Sequence, residues 1–154
     1  MQRVQIGDVI EIKAQAGLAY ALYSHKDNVR GALLRVFDIL YEERPESFDE
    51  VVHLKVRFSI FFPSLQAALS KGLIEVAGHV SIPPTLQPFP LFRAGATDPI
   101  TRKVKLWWLW DGKEEWKIGE LTEEQRKLPI RAIWTYPILV DRIESGWTPE
   151  TDSR

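Results

Sequence analysis

The sequence predicts an α+β fold that is mainly β, and three observations support this class. Short runs of β-branched and aromatic residues alternate with turn signals along the first forty residues. Residues 51–62 show the strict apolar alternation of a strand. Helix signals are few and short. We expect an SH3-like, strongly bent antiparallel sheet or small barrel that opens the chain, continued by further strands and by two or three short helices.

The opening stretch, residues 7–40, predicts three strands. Residues 9–14, 18–23 and 33–40 are apolar runs that are separated by turn signals. The second run is apolar on both faces, which predicts a central strand. In the first run, period two places Ile10 and Ile12 on one face and leaves a wetter opposite face that contains Val9, Glu11 and Lys13.

Later segments add further elements. Residues 51–62 predict one long strand with a bend inside it, ended by Pro63 because proline has no N–H to pair. Residues 81–90 contain four prolines and predict an extended crossing that packs on the body. Other strands are predicted at 73–80, 103–110, 116–119 and 130–134, and helices at 65–71, 123–127 and 137–144. Residues 147–154 are predicted to be a frayed tail.

Composition limits the class of function. At 154 residues the chain is predicted to form a single domain, residues 1–154. A net charge of −1 argues against general affinity for nucleic acid. The absence of cysteine excludes disulfides and thiolate catalysis, and it favours a cytoplasmic location. No stretch has the length and apolarity of a signal peptide or a membrane span, so neither secretion nor membrane insertion is expected.

No arrangement of residues predicts an enzyme. His25, His53 and His79 fall in different elements without metal-ligand spacing, so no metal site is expected. Adjacent acids such as Glu114 and Glu115 show no sign of the burial that acid–base catalysis requires. The sequence has no nucleophile elbow and no glycine-rich phosphate loop. We therefore expect no catalytic residues, no metal and no cofactor.

Residues 42–50, EERPESFDE, form an acidic run that interrupts the strand pattern. The run holds five acids and one arginine, for a local charge of −4. One interpretation is a solvated loop, and the other is an acidic surface for a basic partner. The candidate binding residues of this run are Glu42, Glu43, Glu46, Asp49 and Glu50.

A tryptophan-rich segment, residues 107–110, suggests an alternative surface. Period two places Trp108 and Trp110 together, and we predict that both lie in the core. Trp107 then lies on the opposite face, where it is either exposed or covered by a helix or by the proline-rich crossing. An exposed Trp107 next to basic residues could stack a base or anchor a protein partner. This alternative, a small nucleic-acid- or ligand-binding module, would use Trp107, Arg102, Lys103 and Lys105.

The order of these features also resembles a known family. The chain opens with Gly-Asp-Val-Ile-Glu-Ile at 7–12, and its second strand carries Gly-Leu-Ala-Tyr-Ala at 17–21. The further matching motifs are Val-Phe-Asp at 36–38, Lys-Gly-Leu-Ile-Glu-Val-Ala-Gly at 71–78, Pro-Pro at 83–84, Pro-Leu-Phe at 90–92, a Trp-rich strand ending in Asp-Gly, and a short helix before Leu-Pro. This order, which spans roughly residues 7–146, is similar to the Imm26-type immunity proteins of bacterial polymorphic-toxin and contact-dependent growth inhibition systems.

The resemblance implies a small cytosolic protein that binds the C-terminal domain of one cognate toxin and blocks it. It brings no catalytic residues, and it assigns no binding residues because the interfaces of immunity proteins vary with the toxin. In this interpretation we expect no direct contact with nucleic acid and no membrane. Many such toxins are nucleases with basic active-site clefts. The acidic run at 42–50 would then occupy such a cleft as a phosphate mimic.

Overall fold

A computed structural model describes residues 2–154 of the protein as two antiparallel sheets and three short helices. The strands are β1 (Asp8–Ala14), β2 (Gly17–Asp27), β3 (Gly31–Phe37), β4 (Val56–Phe62), β5 (Ile74–His79), β6 (Phe92–Ala94), β7 (Trp107–Trp110) and β8 (Glu115–Gly119). The helices are α1 (Leu65–Ser70), α2 (Glu123–Arg126) and α3 (Tyr136–Ser145). The α+β, mainly β prediction is therefore confirmed.

The larger sheet has five strands in the order β4-β3-β2-β1-β5. The first four strands form a meander, and β5 returns to pair with β1, so β2 is central as predicted. The pairing register shifts at Val9/Ile10, between Tyr23 and His25, and at Val36/Phe37. Shifts of this kind bend a strand and increase its twist, which fits the expectation of a bent sheet.

Each face of the larger sheet covers its own apolar core. One face packs against α1 and α3, in a cluster that contains Ile12, Leu34 and Leu139. The opposite face carries one cluster around Tyr20 and Phe48, and another in which Phe61 meets Phe92 and Trp110 of the smaller sheet, β6-β7-β8. Because both faces are buried, the strands contain apolar runs as well as alternation.

The predicted single strand at 51–62 is wrong in its first part. Residues Val51–His53 form a 3₁₀ turn, and the strand begins only at Val56. Val51 and Val52 are both buried in the same cluster. Consecutive residues of a regular strand point to opposite faces, whereas the 3₁₀ turn places both side chains in one core.

Two other predicted strands are shorter than expected, whereas the helices agree. The strand predicted at 103–110 begins at Trp107, and residues 130–134 make only isolated bridges, Arg93–Ile130 and Phe61–Ile133. All three predicted helices form within two residues of the expected bounds. The capping box that opens α2 is present, because the Thr122 hydroxyl accepts the Gln125 amide and the Gln125 side chain accepts the Thr122 amide.

The predicted frayed tail, residues 147–154, is instead packed on the body. The Trp147 ring lies edge-on to Phe58 and Trp134, at 5.6 and 5.0 Å between ring centroids. The buried Asp152 carboxylate accepts hydrogen bonds from Trp147 Nε1 at 3.0 Å and from the backbone and side chain of Arg154. Burial raises the pKa of Asp152, but these hydrogen bonds outweigh it and lower that pKa to about 2. The packed ring of Trp147 and the hydrogen-bonded carboxylate of Asp152 hold the tail. A short polar sequence does not indicate these contacts.

Replacing Asp152 with alanine is expected to loosen this tail. The change leaves the indole N–H of Trp147 and the Arg154 amide without their acceptor, which costs about 1–3 kcal/mol for a fully buried donor and less for these half-buried ones. Hydrogen exchange of the amides of residues 148 and 150–154 should accelerate, while exchange in β1 to β4 stays slow. Glu150→Ala is the matched control, because Glu150 is exposed and forms no ion pair within 2–154. Equal exchange in both variants would mean that Asp152 does not hold the tail.

Candidate interaction surfaces

The acidic loop, residues 42–50, connects β3 to the 3₁₀ turn and projects its five candidate carboxylates into solvent. Within the described residues 2–154, none of the five forms an ion pair within 4 Å. The structure thus brings the predicted acidic residues together on one exposed segment. The five members are Glu42, Glu43, Glu46, Asp49 and Glu50.

The start of the acidic loop is tied to the hairpin between β1 and β2. Tyr41 and Leu18 exchange two backbone hydrogen bonds, at 2.7 and 2.9 Å. Gly17 permits this close approach, because a Cβ at that position would lie 2.7 Å from the Tyr41 carbonyl oxygen. The backbone is therefore fixed immediately before the first two acids.

Phe48 anchors the second half of the acidic loop. Its side chain is 7% exposed and meets the Tyr20 ring edge-on, at 4.9 Å between ring centroids. On its other side lies Gly78 of β5, where a Cβ would come within 2.8 Å of the Phe48 ring. The acids on either side of Phe48 are consequently exposed on a segment whose central ring is buried.

Arg44 fastens the loop to the larger sheet through a network of acids. Tyr20, Glu11 and Glu75 lie opposite one another on β2, β1 and β5. The Arg44 guanidinium donates to both carboxylate oxygens of Glu11, at 2.8 and 2.9 Å, and to Glu75 Oε2 at 2.9 Å. The Tyr20 hydroxyl donates to Glu11 Oε1 at 2.7 Å. Adjacent Glu11 and Glu75 would repel each other, and Arg44 offsets that repulsion.

This network changes the acidity of its members. Hydrogen bonding from Arg44 outweighs burial and lowers the pKa of Glu11 to about 2. Burial, reinforced by the Glu11 carboxylate, raises the pKa of Tyr20. Because Arg44 is already paired with two acids outside the acidic loop, its charge does not offset the five exposed carboxylates.

Trp107 is not the exposed platform that the alternative surface requires. Its side chain is 4% exposed, and Arg93 covers the ring, with its guanidinium carbon 4.5 Å from the ring centroid. Arg93 on β6 pairs with Leu109 on β7, so it lies on the same face as the diagonal neighbour Trp107. Trp110 is buried as predicted, whereas Trp108 is only half-buried.

The residues of the alternative surface nevertheless meet at one place. Lys103, Lys105 and Trp107 line an open pocket with a volume of about 710 Å³. Arg102 lies outside the lining, at the turn before it, with a left-handed φ of 62°. We call this cavity the basic pocket; its other charged lining residues are Arg126, Arg154, Glu120 and Asp152.

Several residues of both surfaces were not predicted from the sequence. Arg44 was visible only as the one cation in an acidic run, and its pairing with Glu11 depends on the strand register. Arg126 lies in a short surface helix and Arg154 in the tail, so no sequence pattern connects them to Lys103. Arg93 carries no signal at all, because a buried arginine within a strand is rare.

The described residues contain no other obvious site. No group of three or more histidine, aspartate or glutamate residues within 2–154 could hold a metal ion. His53 and His79 line a shared groove near the acidic loop, but His79 is engaged with Asp8 at 2.9 Å and His53 with the Asp49 carbonyl at 2.7 Å. No helix among residues 2–154 combines the length and the apolar character needed to cross a bilayer.

The acidic loop and the basic pocket are thus the two surfaces from which a function can be argued. Comparisons of the chain with models of protein families, with curated proteins and with solved structures found no match.

Proposed function

We propose that the chain is an immunity protein that binds a cognate toxin domain in the cytoplasm and neutralises it by blocking its active site. The acidic loop is the observation that carries this proposal. It holds five exposed carboxylates without cationic partners in residues 2–154, on a backbone fixed by Tyr41, Arg44 and Phe48. A fixed loop loses little conformational entropy when it binds, so it suits tight inhibition.

The chemistry of the acidic loop favours a basic target. A nuclease holds its phosphate substrate with Lys and Arg side chains, and a row of carboxylates can occupy the same positions. Opposite charges also accelerate the encounter of the two proteins. A partner of this kind is consistent with the resemblance to Imm26-type immunity proteins and requires no catalytic residue on this chain.

The proposal is tested by isolating a complex. The tagged protein is co-expressed with the C-terminal domain encoded by the gene immediately upstream, and the pair is purified by affinity and size-exclusion chromatography. A one-to-one complex, together with restored growth of cells that express the toxin domain, supports the proposal. Folded protein that forms no complex and restores no growth would contradict it.

Neutralising the acidic loop is expected to weaken that complex at least tenfold. The variant replaces all five loop acids with their amides, which keeps the side-chain size and removes the negative charges. Each removed charge eliminates an ion pair that the proposal expects with the toxin domain. Affinity is measured by titration calorimetry at low and high salt. The control carries the same charge change at exposed acids elsewhere, namely Glu114, Glu120, Glu123, Glu124 and Glu150.

Control and loop variants should separate clearly in this measurement. The control should bind within about twofold of the wild type, and its affinity should fall with salt as the wild type does. The loop variant should lose most of that salt dependence. If the two variants bind alike, another face of the protein contacts the toxin domain.

A further inference from the structure

The basic pocket contains more positive charge than its own acids can balance. Among the described residues, Lys103 Nζ donates only to the Ser153 carbonyl oxygen, at 3.1 Å, and Arg126 donates only to backbone carbonyls of the tail. Neither cation has a carboxylate within 4 Å in residues 2–154. Asp152 is occupied by Arg154, at 2.9 Å, and Lys105 reaches Asp98 at 3.5 Å. Two lining cations therefore remain without an acidic partner.

A third cation that has no hydrogen bond to a carboxylate among the described residues lies directly behind the pocket. Arg93 is 0% exposed, and its guanidinium stacks on the Trp107 ring that lines the cavity. It donates only to the carbonyls of Pro149 and Arg126, and its Nε and Nη1 have no hydrogen-bond partner among the described residues. A buried charge of this kind is stabilised by an anion held nearby, since the low-dielectric interior screens their attraction weakly.

The rest of the lining includes apolar surface. Val104 and Leu121, both half-buried, line the pocket together with Lys103 and Arg126, and the buried Trp107 contributes the small part of its side chain that stays exposed. A volume of about 710 Å³ lies within the usual range of small-ligand sites, roughly 300–1,000 Å³. A pocket lined by both cations and apolar side chains matches a ligand with an anionic end and an apolar ring system.

We propose that the basic pocket binds a phosphate monoester that carries a flat ring system, with the size of a nucleoside monophosphate. Lys103 and Arg126 hold the phosphate. The positive charge of Arg93 attracts the phosphate from behind the pocket, and its guanidinium fixes the position of the Trp107 ring. The proposal is independent of the acidic loop and of toxin binding. The ligand is either a free nucleotide or the phosphorylated end of a nucleic acid, which present the same chemistry.

The test titrates the full chain with adenosine monophosphate, adenosine and inorganic phosphate in turn. Binding of each probe is detected by nuclear magnetic resonance. Adenosine monophosphate should shift the Trp107 indole resonance and the amides of Lys103 and Arg126, and it should bind more tightly than either fragment. A 5′-phosphorylated RNA tetramer separates the two sources. Tighter binding of the tetramer assigns a nucleic-acid end, and weaker binding assigns a free nucleotide.

Lys103→Gln and Arg126→Gln should each lower the affinity about tenfold or more, because each removes a charge-assisted hydrogen bond to the phosphate. Lys113→Gln and Lys117→Gln serve as controls, since both lysines are exposed on the β7–β8 hairpin outside the pocket. Lys103 is exposed, so its variant stays folded even if Arg126→Gln loosens the tail. Absence of shifts at millimolar adenosine monophosphate, equal binding of adenosine, or equal losses in the controls would overturn the proposal.

Discussion

Phe48→Ala is expected to reduce the free energy of unfolding by about 3–5 kcal/mol, the largest single effect that we predict. The side chain is buried between Tyr20 and β5, and the short loop cannot collapse into the space it leaves because the Tyr41 backbone and the Arg44 side chain tie it to the larger sheet. Urea unfolding monitored by circular dichroism measures the loss. Phe48→Leu should lose less, and Val29→Ala, at an exposed site, should change stability by less than about 0.5 kcal/mol.

A double-mutant cycle with Gly78 isolates the contact that seats Phe48. Gly78→Ala alone should destabilise the protein, because the new Cβ would lie 2.8 Å from the Phe48 ring. In the Phe48→Ala background the ring is absent, so the same change should have little effect. Additive losses would show that the two residues do not share this space.

Arg44→Met is expected to cost about 2–3 kcal/mol at neutral pH. It leaves the Glu11 carboxylate, whose side chain is 4% exposed, with only the Tyr20 hydroxyl as a partner. Breaking a buried pair on one side costs about 3–5 kcal/mol, and the 43% exposure of the Arg44 side chain reduces that penalty. Urea unfolding again provides the measurement, and the loop amides of residues 42–44 and 46–50 should exchange hydrogen faster.

The same network gives stability a defined pH dependence. The pKa of Glu11 is about 2 in the folded protein and 4.5 ordinarily, so its ionised form is favoured by folding. Its contribution is present above about pH 4.5 and is lost as the pH falls toward about 2, a change of up to about 3 kcal/mol. Arg44→Met removes the main cause of the low pKa. The difference between wild type and variant should therefore shrink over this range.

Matched variants distinguish the network from a general charge effect. Lys127→Met breaks the exposed pair with Glu124 and should cost less than about 0.5 kcal/mol at any pH. Glu11→Gln combined with Arg44→Met should recover part of the loss, because the network then no longer contains an unpaired buried carboxylate. A variant difference that stays constant from pH 7 to acid would contradict the assigned role of Glu11.

The two proposed sites are formed by different elements of the fold. The acidic loop belongs to the larger sheet, since its anchors are β1, β2 and β5. The basic pocket belongs to the smaller sheet, α2 and the tail. Toxin binding and nucleotide binding can therefore fail or succeed independently in experiment.

Sequence alone determined the fold class, the first three strands and the helix positions. Turn signals and period-two alternation act locally, so β1, β2 and β3 could be placed within a few residues. The capping box of α2 is equally local. The acidic loop was also found this way, because five acids in nine residues cannot be buried and must face solvent.

Tertiary structure alone decided which residues meet. Glu11 was expected on the more solvent-exposed face of β1, but it is buried. Its burial is possible because Arg44 of the acidic loop pairs with its carboxylate. Val51 and Val52 belong to a sequence pattern typical of a strand. They form a 3₁₀ turn instead, in which both side chains pack in the same core. Trp107 is covered by Arg93, which is distant in sequence. Hydrophobic periodicity and charge indicate whether a residue favours a strand or a helix and the core or the solvent. Strand register and packing between distant segments determine which residues it contacts.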